Sequence, residues 1–147
     1  MSLHHVEEFS CPKCDTKQEY SYWESINVTL EPELRDELLA YRINVIKCKN
    51  CDFQAFLTIP LLYHDMTKSF CVQYYPEKYL TEPKQFESNL SGITRDGKTK
   101  LSKDDSAFAK MGYLLEPHIV FDMNEMIRYV VFREYLWQFW EQKEKQG

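Results

Sequence analysis

From Glu19 onward the chain alternates: Tyr20, Tyr22, Ile26 and Val28 share one face, with Glu24 among them. A period of two over that length predicts a strand, with those apolar side chains, tyrosines included, turned to a core. Pro32 then suits the first turn of a helix, and Leu34, Leu38 and Tyr41 follow at helical spacing. Ile43 and Val45 alternate into Cys48. Phe53, Ala55 and Leu57 predict a strand that Pro60 ends or bends. Leu61–Tyr63 and Phe70–Tyr74 predict two strands around a polar turn at His64–Lys68.

Beyond residue 75 the texture changes, because all four glycines lie there. Thr81 could cap a short helix stopping at Gly92, and Ser102 another stopping at Gly112. Between them Arg95-Asp96-Gly97-Lys98 holds the Asp-Gly pair of a tight hairpin turn. His118–Phe121 predicts a brief strand, Asp122 a helix cap, and about 123–142 a terminal helix. The expected fold class is α+β: an antiparallel sheet with a zinc-ribbon-like four-cysteine site and a C-terminal helix. The expected organisation is one domain over 1–147. It divides into a β-rich part at 1–75, an insertion or mobile segment at 76–115, and a strand plus helix at 116–147.

Composition narrows the class. With 147 residues, 44% apolar and 15% aromatic, the chain can build a core and is not disordered. No apolar run approaches the length of a membrane span, and no secretory leader is visible. The expectation is a soluble cytoplasmic protein. A net charge of -5 argues against a broad nucleic-acid surface.

Five cysteines change the picture most, since four of them form two Cys-x-x-Cys pairs: Cys11 with Cys14, and Cys48 with Cys51. Each pair is followed at once by aspartate. A metal knuckle turns the chain so tightly that the residue after the second cysteine often needs positive φ, where Gly is usual and Asn or Asp substitutes best. Asp15 and Asp52 are expected to serve there. Two knuckles supply four thiolates, the preferred tetrahedral set for Zn²⁺, so Cys11, Cys14, Cys48 and Cys51 are the expected metal ligands. The pairs are further apart than in an ordinary ribbon, and the Pro32–Tyr41 helix accounts for the difference. Lys13, Lys17, Lys47 and Lys49 flank the pairs and either offset the thiolate charge or are ordinary surface.

Two rival chemistries use similar letters. A dithiol oxidoreductase places its first cysteine at a helix N-terminus, but the chain after Cys14 reads as strand. A cytidine-deaminase zinc site needs His-x-Glu, and none of His4, His5, His64 or His118 has Glu two positions on. With no open metal position and no positioned nucleophile, the chain is not expected to be an enzyme.

Cys11-Pro-Lys-Cys14, Ser25-Ile-Asn-Val-Thr-Leu, Glu33-Leu, Cys48-x-x-Cys51 and Pro60-Leu-Leu-Tyr-His-Asp65 together resemble the CpXC family of bacterial and archaeal proteins. The likeness extends faintly to Ile119-Val-Phe-Asp-Met-Asn-Glu-Met126 and covers most of the chain outside roughly 76–115. Two departures stand out: Lys49 replaces a frequent proline in the second pair, and the segment after Phe132 is unusually aromatic.

Other groups attract plainer readings. His64-Asp65 could be a displayed catalytic pair, but a local turn bond from Asp65 and a packing role for His64 is the simpler expectation. Cys71 alternates with Phe70, Val72 and Tyr74 and is expected to be a spare, partly buried thiol. The basic stretch Arg95–Lys103 could meet phosphates, and Tyr20, Tyr22 and Trp23 could stack bases. In the terminal helix Met126, Ile127, Val130 and Trp137 cluster on one side, while Phe132, Leu136, Phe139 and Trp140 cluster on nearly the opposite side. That pattern implies a break after Val131 or a helix covered on both faces, and a second copy of the chain is the expected cover. The leading functional expectation is a zinc-dependent, homo-oligomeric protein-interaction module. The alternatives are a nucleic-acid-binding zinc ribbon and a thiol oxidoreductase.

Overall fold

The computed structural model describes residues 2–78, 113 and 117–146. The helices expected at 81–92 and 102–112, the Asp96-Gly97 turn and the Arg95–Lys103 stretch lie outside the described residues. The elements run β1 (Leu3–Ser10), β2 (Lys17–Asn27), α1 (Glu33–Leu39), β3 (Val45–Lys47), β4 (Gln54–Phe56), β5 (Leu61–Asp65), β6 (Phe70–Tyr74), β7 (His118–Val120) and α2 (Met123–Gln146). A five-stranded sheet has the order β1-β2-β5-β6-β7, and β3 and β4 form a separate two-stranded sheet. The fold is α+β.

The main sheet is mixed rather than antiparallel. β2 and β5 pair in parallel, as do β6 and β7, while β1–β2 and β5–β6 are antiparallel. The first parallel pairing follows from topology, because β2 reaches β5 only after a crossover carrying α1 and the β3–β4 hairpin. β1 is a second departure, since no alternation announces it. Its sequence Leu-His-His-Val-Glu-Glu-Phe-Ser pairs with β2 along its length and stays mostly exposed, so neither face carries an apolar code.

Apolar burial is concentrated where β2 ends and β5 and β6 begin. Ile26, Leu61, Tyr63 and Val72 are fully enclosed, with Leu34 and Leu38 of α1 and Met126 and Val130 of α2 packed over them. Tyr20 and Tyr22 lie outside this core, because the β1–β2 hairpin projects past the body of the sheet and leaves them half-buried. Trp23 does pack against it.

The region without glycine turns its corners on other residues: Asp15, Tyr41, Asn44 and Ser69 all have positive φ, between 53° and 58°. Such a conformation costs about 1–2 kcal/mol for a residue with a Cβ, so neighbouring bonds must hold it. At Tyr41 they are visible. The Tyr41 amide donates to the Leu38 carbonyl and the Arg42 amide to the Glu37 carbonyl, the paired closure that ends a helix with one left-handed residue.

The terminal helix begins as its sequence predicts. Asp122 Oδ1 accepts from the amides of Asn124 (2.8 Å) and Glu125 (3.3 Å), and Glu125 reaches back to the Phe121 amide. It then runs unbroken through Val131 to Gln146. Met126 and Val130 are buried, while Phe132, Tyr135, Phe139 and Trp140 are exposed and Leu136 is half-buried. The helix is therefore continuous and apolar on two faces, only one of which the described residues cover.

A candidate metal centre built from two turns

The cysteine pairs occupy the two hairpin turns, between β1 and β2 and between β3 and β4. Both turns close alike. The Cys11 amide donates to the Thr16 carbonyl at 3.0 Å, and the Cys48 amide to the Phe53 carbonyl at 2.9 Å. The same five-residue step thus folds each Cys-x-x-Cys back so that both sulfurs point inward. Asp15 takes positive φ as expected, with φ 58°, whereas Asp52 does not. Asp52 instead forms an ion pair with Lys13, which joins the two turns across the site.

The four sulfurs converge. Cys11 Sγ lies 3.6 Å from Cys51 Sγ, Cys14 Sγ lies 3.6 Å from Cys48 Sγ, and all four are within 4.8 Å of one another. A tetrahedron with metal–sulfur bonds of about 2.3 Å has edges of about 3.8 Å, so the donor set fits a four-coordinate ion. Cys11 and Cys48 are buried and Cys14 and Cys51 half-buried, leaving a closed site at the surface. The thiols differ in acidity. The Thr16 side chain and backbone pull Cys14 down to about 6. At Cys51 a hydrogen bond with the Phe53 backbone acts downward, but burial and the neighbouring Cys11, Cys14 and Cys48 outweigh it and push the group up to about 12.

Two side chains not singled out by sequence reasoning position this site. Gln18 on β2 donates through Nε2 to the Lys47 carbonyl and accepts at Oε1 from the Lys49 amide, both at 2.8 Å. Its single amide holds the backbone on either side of Cys48. Asn44, buried, accepts from the Trp23 amide at 2.7 Å and donates to the Trp23 carbonyl at 2.9 Å. The Leu57 amide in turn donates to the Asn44 carbonyl, so Asn44 binds the small sheet to β2. Of the four flanking lysines, Lys13 has the Asp52 ion pair described above.

His64 and Asp65 have separate partners. Asp65 is buried and closes the β5–β6 turn, accepting from the Lys68 amide at 2.9 Å and from Lys68 Nζ at 3.3 Å. Lys68 Nζ continues to Glu134 on α2 at 3.0 Å, and Arg35 on α1 reaches the same carboxylate. His64 contacts the Tyr113 hydroxyl through Nε2. Its cross-strand partner Cys71 donates to the Tyr113 carbonyl at 3.3 Å, and burial pushes that thiol up to about 11. A protonated thiol committed to a carbonyl is a poor nucleophile.

The arrangement defines a mixed-sheet α+β protein with a four-cysteine cluster able to hold a metal ion. Residues 9–136, which include both cysteine pairs, match the family described as CpXC protein, and the chain belongs to that family. Among curated proteins and solved structures, no match was found. No helix of the described residues is long and apolar enough to cross a membrane.

Proposed function

We propose that Cys11, Cys14, Cys48 and Cys51 hold one structural Zn²⁺ and that the chain is a zinc-stabilised protein-interaction module. The observation that carries this reading is the convergence of four sulfurs from two turns, each closed by an amide-to-carbonyl bond from its first cysteine to the residue five positions on. An all-cysteine set favours zinc over the hard cations, and with four protein ligands it leaves no position for water or substrate. Structural zinc contributes about 10–16 kcal/mol in finger peptides, so the ion would hold the two hairpins together. The reading also places the protein in the cytoplasm, where reductants keep such thiols available to metal.

Elemental analysis of the purified protein tests it. One zinc per chain is expected, with loss of zinc and a lower Tm in Cys48→Ser. A zinc-free protein carrying a Cys11–Cys14 disulfide and reductase activity would instead support the oxidoreductase reading. Salt-sensitive retention on single-stranded nucleic acid would support the nucleic-acid one.

We further propose that the outer stripe of α2 meets a second copy of the chain. Phe132, Tyr135, Leu136, Phe139 and Trp140 follow helical spacing, and the four aromatics are each about half exposed or more. At on the order of 100 Å² each they make a patch of about 400–500 Å², the size of the largest, often functional, patch on a typical monomer. Sedimentation of Phe139→Lys/Trp140→Lys is expected to show a smaller mass than the parent chain. An unchanged mass would remove this part of the reading.

A further inference from the structure

The projecting β1–β2 hairpin carries a feature that neither zinc nor α2 explains. Cross-strand register puts Glu7 opposite Tyr20 and His5 opposite Tyr22, so these four side chains share a face. Both phenols donate to the same carboxylate: Tyr20 Oη to Glu7 Oε2 at 2.9 Å and Tyr22 Oη to Glu7 Oε1 at 3.1 Å. Each oxygen of Glu7 therefore keeps a lone pair free, and the two remaining acceptor directions belong to one oriented carboxylate. Rings wall it in. Tyr22 stacks on His5 at 5.1 Å and on Tyr20 at 6.0 Å, and Phe9 meets Tyr20 edge-on.

Beside this face runs an open edge. Among the described residues β1 pairs with β2 alone, and Val6 at mid-strand is 58% exposed. Sheet edges of this kind accept an added strand. The charge along the edge selects the occupant. In an antiparallel pairing of two β1 strands centred between these glutamates, Glu7 would oppose Glu8 of the other copy, and Glu19 of β2 and Glu24, which contacts His5 at 3.2 Å, lie nearby. A second copy is repelled and a cationic strand attracted.

We propose that β1 is a docking edge for an extended, arginine-bearing segment of a partner protein, which adds as a sixth strand and sets a guanidinium on Glu7. Arginine suits the site better than lysine, because its planar fork can meet both carboxylate oxygens and stack against aromatic rings. This inference rests on the reading of the chain as an interaction module and names the chemistry of its partner.

The probe is a capped, fluorescent eight-residue peptide with arginine at alternating positions between threonine and valine, titrated into the full chain. Companion peptides carry lysine, glutamate or serine at those positions. Expected is binding in the order arginine, lysine, serine, glutamate, a loss of about tenfold or more in Glu7→Gln, and amide chemical-shift changes centred on Leu3–Ser10. Equal binding of the arginine and serine peptides, unaltered affinity in Glu7→Gln, or shifts centred elsewhere would overturn the proposal. Zinc content is measured in the same samples. Stoichiometric metal without arginine-selective binding overturns the docking edge alone, whereas absent metal overturns the zinc reading whatever the peptide does.

Discussion

Gln18 on β2 and Lys49 in the β3–β4 turn are joined by a 2.8 Å hydrogen bond from the Lys49 amide to the Gln18 side-chain oxygen. With the companion bond to Lys47, this fixes the approach of the second cysteine pair to the first. Groups that orient metal ligands without touching the ion typically contribute 10–100-fold to metal affinity. Gln18→Ala is therefore expected to weaken zinc retention by about tenfold in a chelator competition. Gln18→Glu keeps the acceptor and loses the donor, and should fall between.

Thiol titration separates the five cysteines. In the zinc-loaded protein little reaction with a disulfide reagent is expected at pH 8. Adding a chelator should release four thiols, with Cys14, held down at about 6, first to react. Cys71, pushed up to about 11 and buried, should react only after denaturant is added. Mass spectrometry of the modified peptides checks the order.

Lys68 bridges the buried Asp65 and the partly buried Glu134. Lys68→Met would leave the Asp65 carboxylate enclosed without its cation, and removing one partner of such a pair typically costs about 3–5 kcal/mol. A matching fall in urea unfolding stability is expected. The double change Lys68→Met/Asp65→Asn should recover part of it.

His64 gives a pH signature. Burial, opposed by Asp65, holds its imidazole below the ordinary histidine range. In the unfolded chain the group takes up a proton near pH 6.5, where the folded protein resists it. Its contribution to stability is thus present above that pH and is lost as pH falls toward the folded value. Thermal denaturation between pH 5 and 7.5 should show a steeper acid-side loss in the parent chain than in His64→Phe. The difference between the two curves removes the thiol protonation they share.

Much of the site could be read from spacing, because Cys-x-x-Cys is a local code for one turn and two such turns make one tetrahedron. Asp15 obeyed that code, since its turn needs a left-handed residue, while Asp52 serves the site through Lys13 instead. Gln18 and Asn44 escaped because their partners are backbone atoms 29, 31 and 21 positions away, which no side-chain pattern records. β1 escaped for the opposite reason: an edge strand wet on both faces has no periodicity to show. The parallel pairings of β2 with β5 and β6 with β7 were equally illegible, since alternation specifies a face but not a neighbour or a direction.

Cys14 and Cys48 lie 34 positions apart, in turns with no covalent link between them. A cross-link of that span removes about 4 kcal/mol worth of freedom from an unfolded chain. A disulfide would impose it only where oxidants act, and would need reduction to undo. An ion shared by the two turns imposes the same restraint in reducing surroundings and can be withdrawn by any stronger ligand. With such an ion bound, the chain would have a staple whose strength follows the supply of free metal around it.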